Sequence, residues 1–265
     1  MNEWVGRSVE IANSQGYLDK LSQIYPSTPL PRRPLNGQVK KDIISLHESS
    51  EAKELVKLLL KLTKYGHPFP IEHPYASIFR QKPKLIQQNP KTFEKLGEII
   101  LSMSVEDVIR GCERPIDINR VMGQAFHNWL RQYFPKHGIP ILPERQFNSY
   151  NGRAFFDGKN ARILNYVNQR LKLSLERGRD FLFKVGNKFV IGEARFLSTS
   201  GGSQTRDIIE TREFIRSMKG QIIAVGVLDG IVWFNRRYVR LLSELKEDEP
   251  ALTVLLLKDF LESLR

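Results

Sequence analysis

Gly178-Arg-Asp-Phe-Leu-Phe-Lys-Val-Gly-Asn-Lys-Phe-Val-Ile-Gly-Glu-Ala-Arg195 is the stretch from which the rest of the chain can be read. Gly186-Asn187 sits between two runs of alternating apolar residues, the pattern of a β-hairpin closed by a two-residue turn. Pairing Val185 with Lys188 carries the register outward through Lys184 with Phe189 and Leu182 with Ile191, so that Asp180 falls opposite Glu193. Opposed residues share a face of the sheet, as do residues two apart on one strand. Asp180, Glu193 and Arg195 are therefore expected on one face.

Two opposed acids repel, and a positive charge between them turns that cost into attraction. Mg²⁺ favours a site of one or two carboxylates completed by waters and a substrate phosphate. A cationic side chain alongside suits charge developing on a phosphorane. The hairpin thus points to a metal-dependent site for cutting phosphodiesters. The plain structural reading is a strand pair whose acids serve as salt-bridge partners for Arg179 and Arg195.

With Asp180 on one strand and Glu193-Ala194-Arg195 on the next, the chain resembles the PD-(D/E)XK nuclease superfamily, particularly its type II restriction endonucleases. The flanks add to the likeness. Phe156-Asp-Gly-Lys159 precedes a helix, and Phe196-Leu-Ser-Thr-Ser-Gly-Gly-Ser-Gln204 leads from the hairpin into another. Two positions depart from the motif: Arg179 stands where it has Pro, and Arg195 where it has Lys. Arginine is not deprotonated in proteins and offers a planar fork instead of a point charge.

The resemblance implies an α/β fold with a restriction-endonuclease-like core, a mixed β-sheet flanked by helices. Residues 141–265 would form that catalytic core, and residues 1–140 an added helical subdomain for DNA recognition or dimerisation. It implies Mg²⁺, with Mn²⁺ as a substitute, held by Asp180 and Glu193. Arg195 would contact the scissile phosphate or place the attacking water. Asp157 is the candidate for a third acid, with Glu144 behind it. The implied activity is site-specific cleavage of double-stranded DNA by a homodimer, with a cognate DNA methyltransferase as functional partner. A repair or structure-specific nuclease of the same superfamily, or an inactive DNA-binding protein, remains an alternative.

Composition agrees with a polyanionic partner. Forty-one Lys and Arg against 29 Asp and Glu give a net charge of +12 over 265 residues, a balance that favours nucleic acid first and an anionic membrane surface second. A single cysteine, Cys112, excludes an intramolecular disulfide and zinc sites of the Cys₂ or Cys₄ kind. Neither a signal-peptide pattern nor an apolar run long enough to span a membrane is visible, which leads to the expectation of a cytoplasmic protein. No Ser-His-Asp order, HExxH or dinucleotide fingerprint occurs.

Along the chain, a loosely helical start runs into a proline-rich extended segment over 25–34. Helices are expected over 39–64, 90–103, from 104, and over 117–131, with the proline-broken stretch 65–90 read as loop. Then follow a short strand over 145–150, a helix over 161–176, the hairpin, and a helix over 205–218. Asp229-Gly230 reads as a second hairpin turn, and Pro250 as the start of a terminal helix. The Gly201-Gly202 segment could approach phosphate closely at a helix N-terminus. Ser200, Gly202, Ser203, Gln204 and Arg206 are accordingly candidate DNA contacts, as are Arg120 and Arg131 on the 117–131 helix.

Overall fold

A computed structural model describes residues 2–25, 32–114, 118–218 and 220–264, with the side chains of 118–120 left undescribed. The proline-rich segment expected over 25–34 lies largely outside the described residues. Contacts divide the chain into two compact units, Met1–Ser27 with Asn119–Arg265, and Thr28–Ile118. This partition differs from a division at residue 140, because the first helices and the 118–136 helix pack in the sheet-bearing unit. Asn2 caps the Glu3–Ala12 helix through Trp4 N and donates to the Lys246 and Glu249 carbonyls, while Trp4 meets Phe260 edge-on at 5.2 Å.

The sheet has six strands in chain order: β1 (Ile141–Leu142), β2 (Arg153–Phe156), β3 (Phe181–Val185), β4 (Lys188–Leu197), β5 (Ile222–Gly230) and β6 (Ala251–Leu252). The β2–β3 and β3–β4 pairs are antiparallel; β1–β2, β4–β5 and β5–β6 are parallel. The hairpin has the register read from its turn, Val185 opposite Lys188 and Leu182 opposite Ile191. Gly186 holds φ at 58°, the left-handed region that such a turn requires and glycine adopts freely.

Helices cover both sides of the sheet. Phe126, Leu130 and Phe134 of the Ile118–Lys136 helix pack in one cluster with Phe181 and Phe183. Ile163, Tyr166 and Val167 of the Asn160–Arg170 helix pack in another with Leu182 and Ile191. Alternate residues of β3 thus enter opposite layers, and every residue of the strand is buried. The helix Gly202–Ser217 is the connection that parallel β4 and β5 need.

Several expected elements differ. Residues 144–149 form a helix, because the strands lie on either side of them at 141–142 and 153–156. The helix expected to reach 176 stops at Arg170. Asp229-Gly230 is no hairpin turn. It ends β5, and residues 231–234 form a 3₁₀ turn. Pro250 leads into β6, and the last helix begins only at Leu257.

In the other unit, the helix expected over 39–64 breaks into Gly37–Glu48 and Ala52–Leu62. Ser50 takes φ 56° there, and Glu51 N reaches back to the Leu46 carbonyl, a left-handed helix end. The stretch 65–90 carries helices Pro74–Gln81 and Leu85–Gln88; in the first, a proline in the opening turn starts the helix without losing a bond. Helices Pro90–Leu101 and Val105–Cys112 stand as read, the latter capped by Ser104 accepting from Asp107 N at 3.1 Å. Ile43, Leu55, Leu59, Leu96, Val108 and Cys112 form this unit's core. Burial pushes the Cys112 thiol up to about 12, as befits a small apolar core residue.

Candidate active site

β4 projects Glu193 into a cleft of about 420 Å³ that it shares with Arg179, Glu210 and Phe214. Gly192 precedes it because the Phe181 ring lies where a side chain would begin, with a Cβ at that position falling 1.8 Å from the ring. Glu193 is 6% exposed, and both its oxygens are taken by cations. Arg179 Nη1 donates to Oε2 at 2.6 Å, and Arg195 pairs with Oε1. The Arg179 guanidinium also lies 3.9 Å above the Phe214 ring. Arg195 is the looser of the two, its side chain 38% exposed against 15% for Arg179.

Asp180 stands one residue outside β3. Its N–H donates to the Gly192 carbonyl, one position off the ladder, and its Oδ2 accepts the Ala194 N–H at 2.8 Å. The remaining oxygen has a long 3.4 Å bond from Asn160 and lies 3.9 Å from His127 Nε2. Asp180 therefore keeps acceptor capacity at Oδ1. Burial holds His127 below the ordinary imidazole range, with the Asp180 charge pulling the other way.

A second cavity, about 180 Å³, adjoins Arg195 and is lined by Tyr25, Phe126, Phe196, Gln204 and Asp207. Gln204 Oε1 and Arg195 Nε are buried without a hydrogen-bond partner. Burial raises Asp207 above the usual carboxylate range; Arg195 opposes that shift and Glu210 adds to it. Ser200, Gly202, Ser203 and Arg206 lie exposed at or beside the start of the Gly202–Ser217 helix.

Other candidates have partners of their own. Asp157 Oδ1 accepts from Arg131 Nη1 at 2.8 Å, and Glu144 pairs with Arg170 at 3.1 Å. The Arg120 side chain lies outside the described residues. Lys184 turns to the Asn148 carbonyl at 2.7 Å. Among the described residues, no three His, Cys, Asp or Glu side chains gather as a metal cluster. Asp180 and Glu193 nevertheless supply two hard oxygen donors, the number Mg²⁺ takes when waters and phosphate complete its shell. The donor set thus fits such an ion.

The motif marks Arg179 only as a salt-bridge partner at its Pro position, and points to neither Asn160 nor Asp207. Asp207 had a readable signal: it lies three residues from Gln204 on a helix, hence on the same face.

A mixed sheet flanked by helices, with an acid before one hairpin strand and Glu-X-Arg on the next, defines a restriction-endonuclease-like nuclease core of the PD-(D/E)XK superfamily. The model of one family, described as Tsp45I type II restriction enzyme, matches residues 2–264, and the chain belongs to that family. It is accordingly a site-specific endodeoxyribonuclease of a restriction system. No curated protein and no solved structure matches it. No helix among the described residues is long and apolar enough to cross a membrane.

Proposed function

We propose that the enzyme hydrolyses both strands of duplex DNA at a short site, using Mg²⁺ held by Asp180 and Glu193. The observation that carries this reading is the pair of carboxylates at the open end of the hairpin. Asp180 is fixed through the Ala194 N–H, and Glu193 lies beside it with two guanidiniums on its oxygens. A bound divalent ion would lower the pKa of a water and offset phosphate charge. Arg195, the more exposed guanidinium, would turn from Glu193 to the scissile phosphate and hold it by paired N–H donors. It cannot serve as a proton acceptor, so its part is binding and placement.

Asp157 would join the metal site only once its pair with Arg131 opens, which leaves Arg131 free for phosphate. Ser200, Gly202, Ser203, Gln204 and Arg206 would meet DNA along the helix entrance, and Arg120 and Arg131 along the 118–136 helix. Residues 28–118 would contribute recognition or dimer contacts. A palindromic site cut on both strands calls for a twofold homodimer. The cell, with the enzyme in its cytoplasm, would protect its own sites with a cognate methyltransferase.

The test is a digest of plasmid and phage DNA in Mg²⁺, in Mn²⁺ and in EDTA. Discrete fragments that need the metal and vanish in Asp180→Asn and Glu193→Gln are expected. Fragments that persist in both variants would sink the assignment of these acids, and a smear would turn the reading toward a non-specific nuclease.

A further inference from the structure

Resting on the reading of Asp180 and Glu193 as metal ligands, we propose that Arg179 is a positioning residue that makes divalent-ion binding depend on DNA. Four charges meet at the hairpin: Asp180 and Glu193 carry two negative, Arg179 and Arg195 two positive. The donor set is neutral before DNA arrives, and each Glu193 oxygen already faces a guanidinium. A dication entering alone must displace a guanidinium to reach Glu193.

DNA changes this balance. A phosphodiester brings a negative charge and gives Arg195 a better partner than a shared carboxylate oxygen. Arg195 is free to leave, its side chain being more than a third exposed. Arg179 is not. Its guanidinium is wedged over Phe214 at 3.9 Å, and its side chain is 15% exposed. Glu193 therefore loses one cation to DNA and keeps the other, which holds its Oε2 while Oε1 is released for the ion.

Charge and hydrogen bonding at Arg179 are separable. Arg179→Gln keeps an N–H donor toward Glu193 and removes the charge; Arg179→Lys keeps the charge and loses the planar fork. Mn²⁺ titration of the DNA-free protein, followed by electron paramagnetic resonance, reads ion binding without cleavage. Arg179→Gln should bind Mn²⁺ at least about tenfold tighter than wild type, and Arg179→Lys should stay within about threefold of it. Adding Glu193→Gln to Arg179→Gln should erase the gain. Thermal melting in EDTA checks that each variant is folded, and Arg179→Met takes the place of Arg179→Gln if that one is not.

An unchanged Mn²⁺ affinity in the neutral variant would overturn the proposal. If Glu193→Gln still abolished cleavage, the metal reading would survive that result. A gain that persists in the double variant would overturn both, because the ion would then be bound away from Glu193.

Discussion

Two carboxylates lie buried on neighbouring strands of one sheet, Glu193 on β4 and Asp229 near the end of β5, and their partners differ in kind. Asp229 is fully buried and meets neutral donors: Thr253 Oγ1 at 2.6 Å, Tyr25 OH at 3.0 Å, and the Val254 N–H at 3.3 Å. Glu193 meets two guanidiniums and opens on a cleft. Neutral donors closed off from solvent bind a strand end to segments remote in sequence, and offer no way in for a ligand. Cations at an open cleft can be exchanged for another cation or drawn off by an anion. Burial of an acid says little about its use; the charge and mobility of its donors say more.

The largest effect should come from Glu193→Gln. The amide keeps the shape and loses the charge, and cleavage should fall by about 10³-fold or more, the scale for a group that acts as one unit with its neighbours. The melting temperature should change little by comparison, since one neutral side chain can still accept from Arg179. A variant that melts far lower and cuts normally when folded would reverse the contrast between the two acids.

Asp229→Ala should do the opposite. It strands the Thr253 and Tyr25 hydroxyls and the Val254 N–H in the core, a loss of roughly 3 kcal/mol at pH 5. Urea unfolding measures it, and cleavage per folded molecule should be retained. The same residue sets a pH dependence. Burial raises the Asp229 carboxyl from 3.8 to about 6 in the folded protein. Between those values the folded state keeps a proton that the unfolded chain has released. Its contribution is thus complete below about pH 4 and is lost as pH rises through 6, by roughly 3 kcal/mol in all. Subtracting the profile of Asp229→Asn from that of the wild type should leave a slope of this sign; a flat difference would mean that Asp229 ionises freely in the core.

The legibility of these two acids in the sequence was unequal for a physical reason. Glu193 sits in a hairpin whose turn residues fix the register locally, so its place one position beyond the Phe181–Gly192 pair follows from Gly186-Asn187 alone. Asp229-Gly230 carries the same kind of turn signal, yet the two residues are the last of β5. The parallel pairing of β5 with β4 and the donors at Thr253 and Val254 are remote in sequence, and they decide the local conformation. For the same reason residues 145–150 read as a strand while 144–149 fold as a helix, with Phe147 buried beside Phe156 and Tyr166. The cations on Glu193 were visible as residue types, but their unequal anchoring was not, because Phe214 comes from a helix 35 positions after Arg179.

Lys184 offers the smallest and sharpest test of the comparison. It is a buried charge on the same strand pair as Glu193, and it shares the face expected of Asp180, so it is the obvious stand-in for a lysine that the motif lacks. Two observations argue against that role. It lies four residues along β3 from Asp180, roughly 13 Å at about 3.3 Å per residue. Its ammonium is also engaged, donating to the Asn148 carbonyl at 2.7 Å and lying 5.9 Å over the Phe189 ring. Lys184→Met keeps the apolar stem and leaves that carbonyl short of a donor, which should lower stability by about 1 kcal/mol. Cleavage should be unchanged at saturating Mg²⁺. A loss of cleavage approaching that of Glu193→Gln, in a variant that melts near wild type, would move Lys184 from the frame of the sheet to its chemistry and leave Arg195 as a phosphate anchor alone.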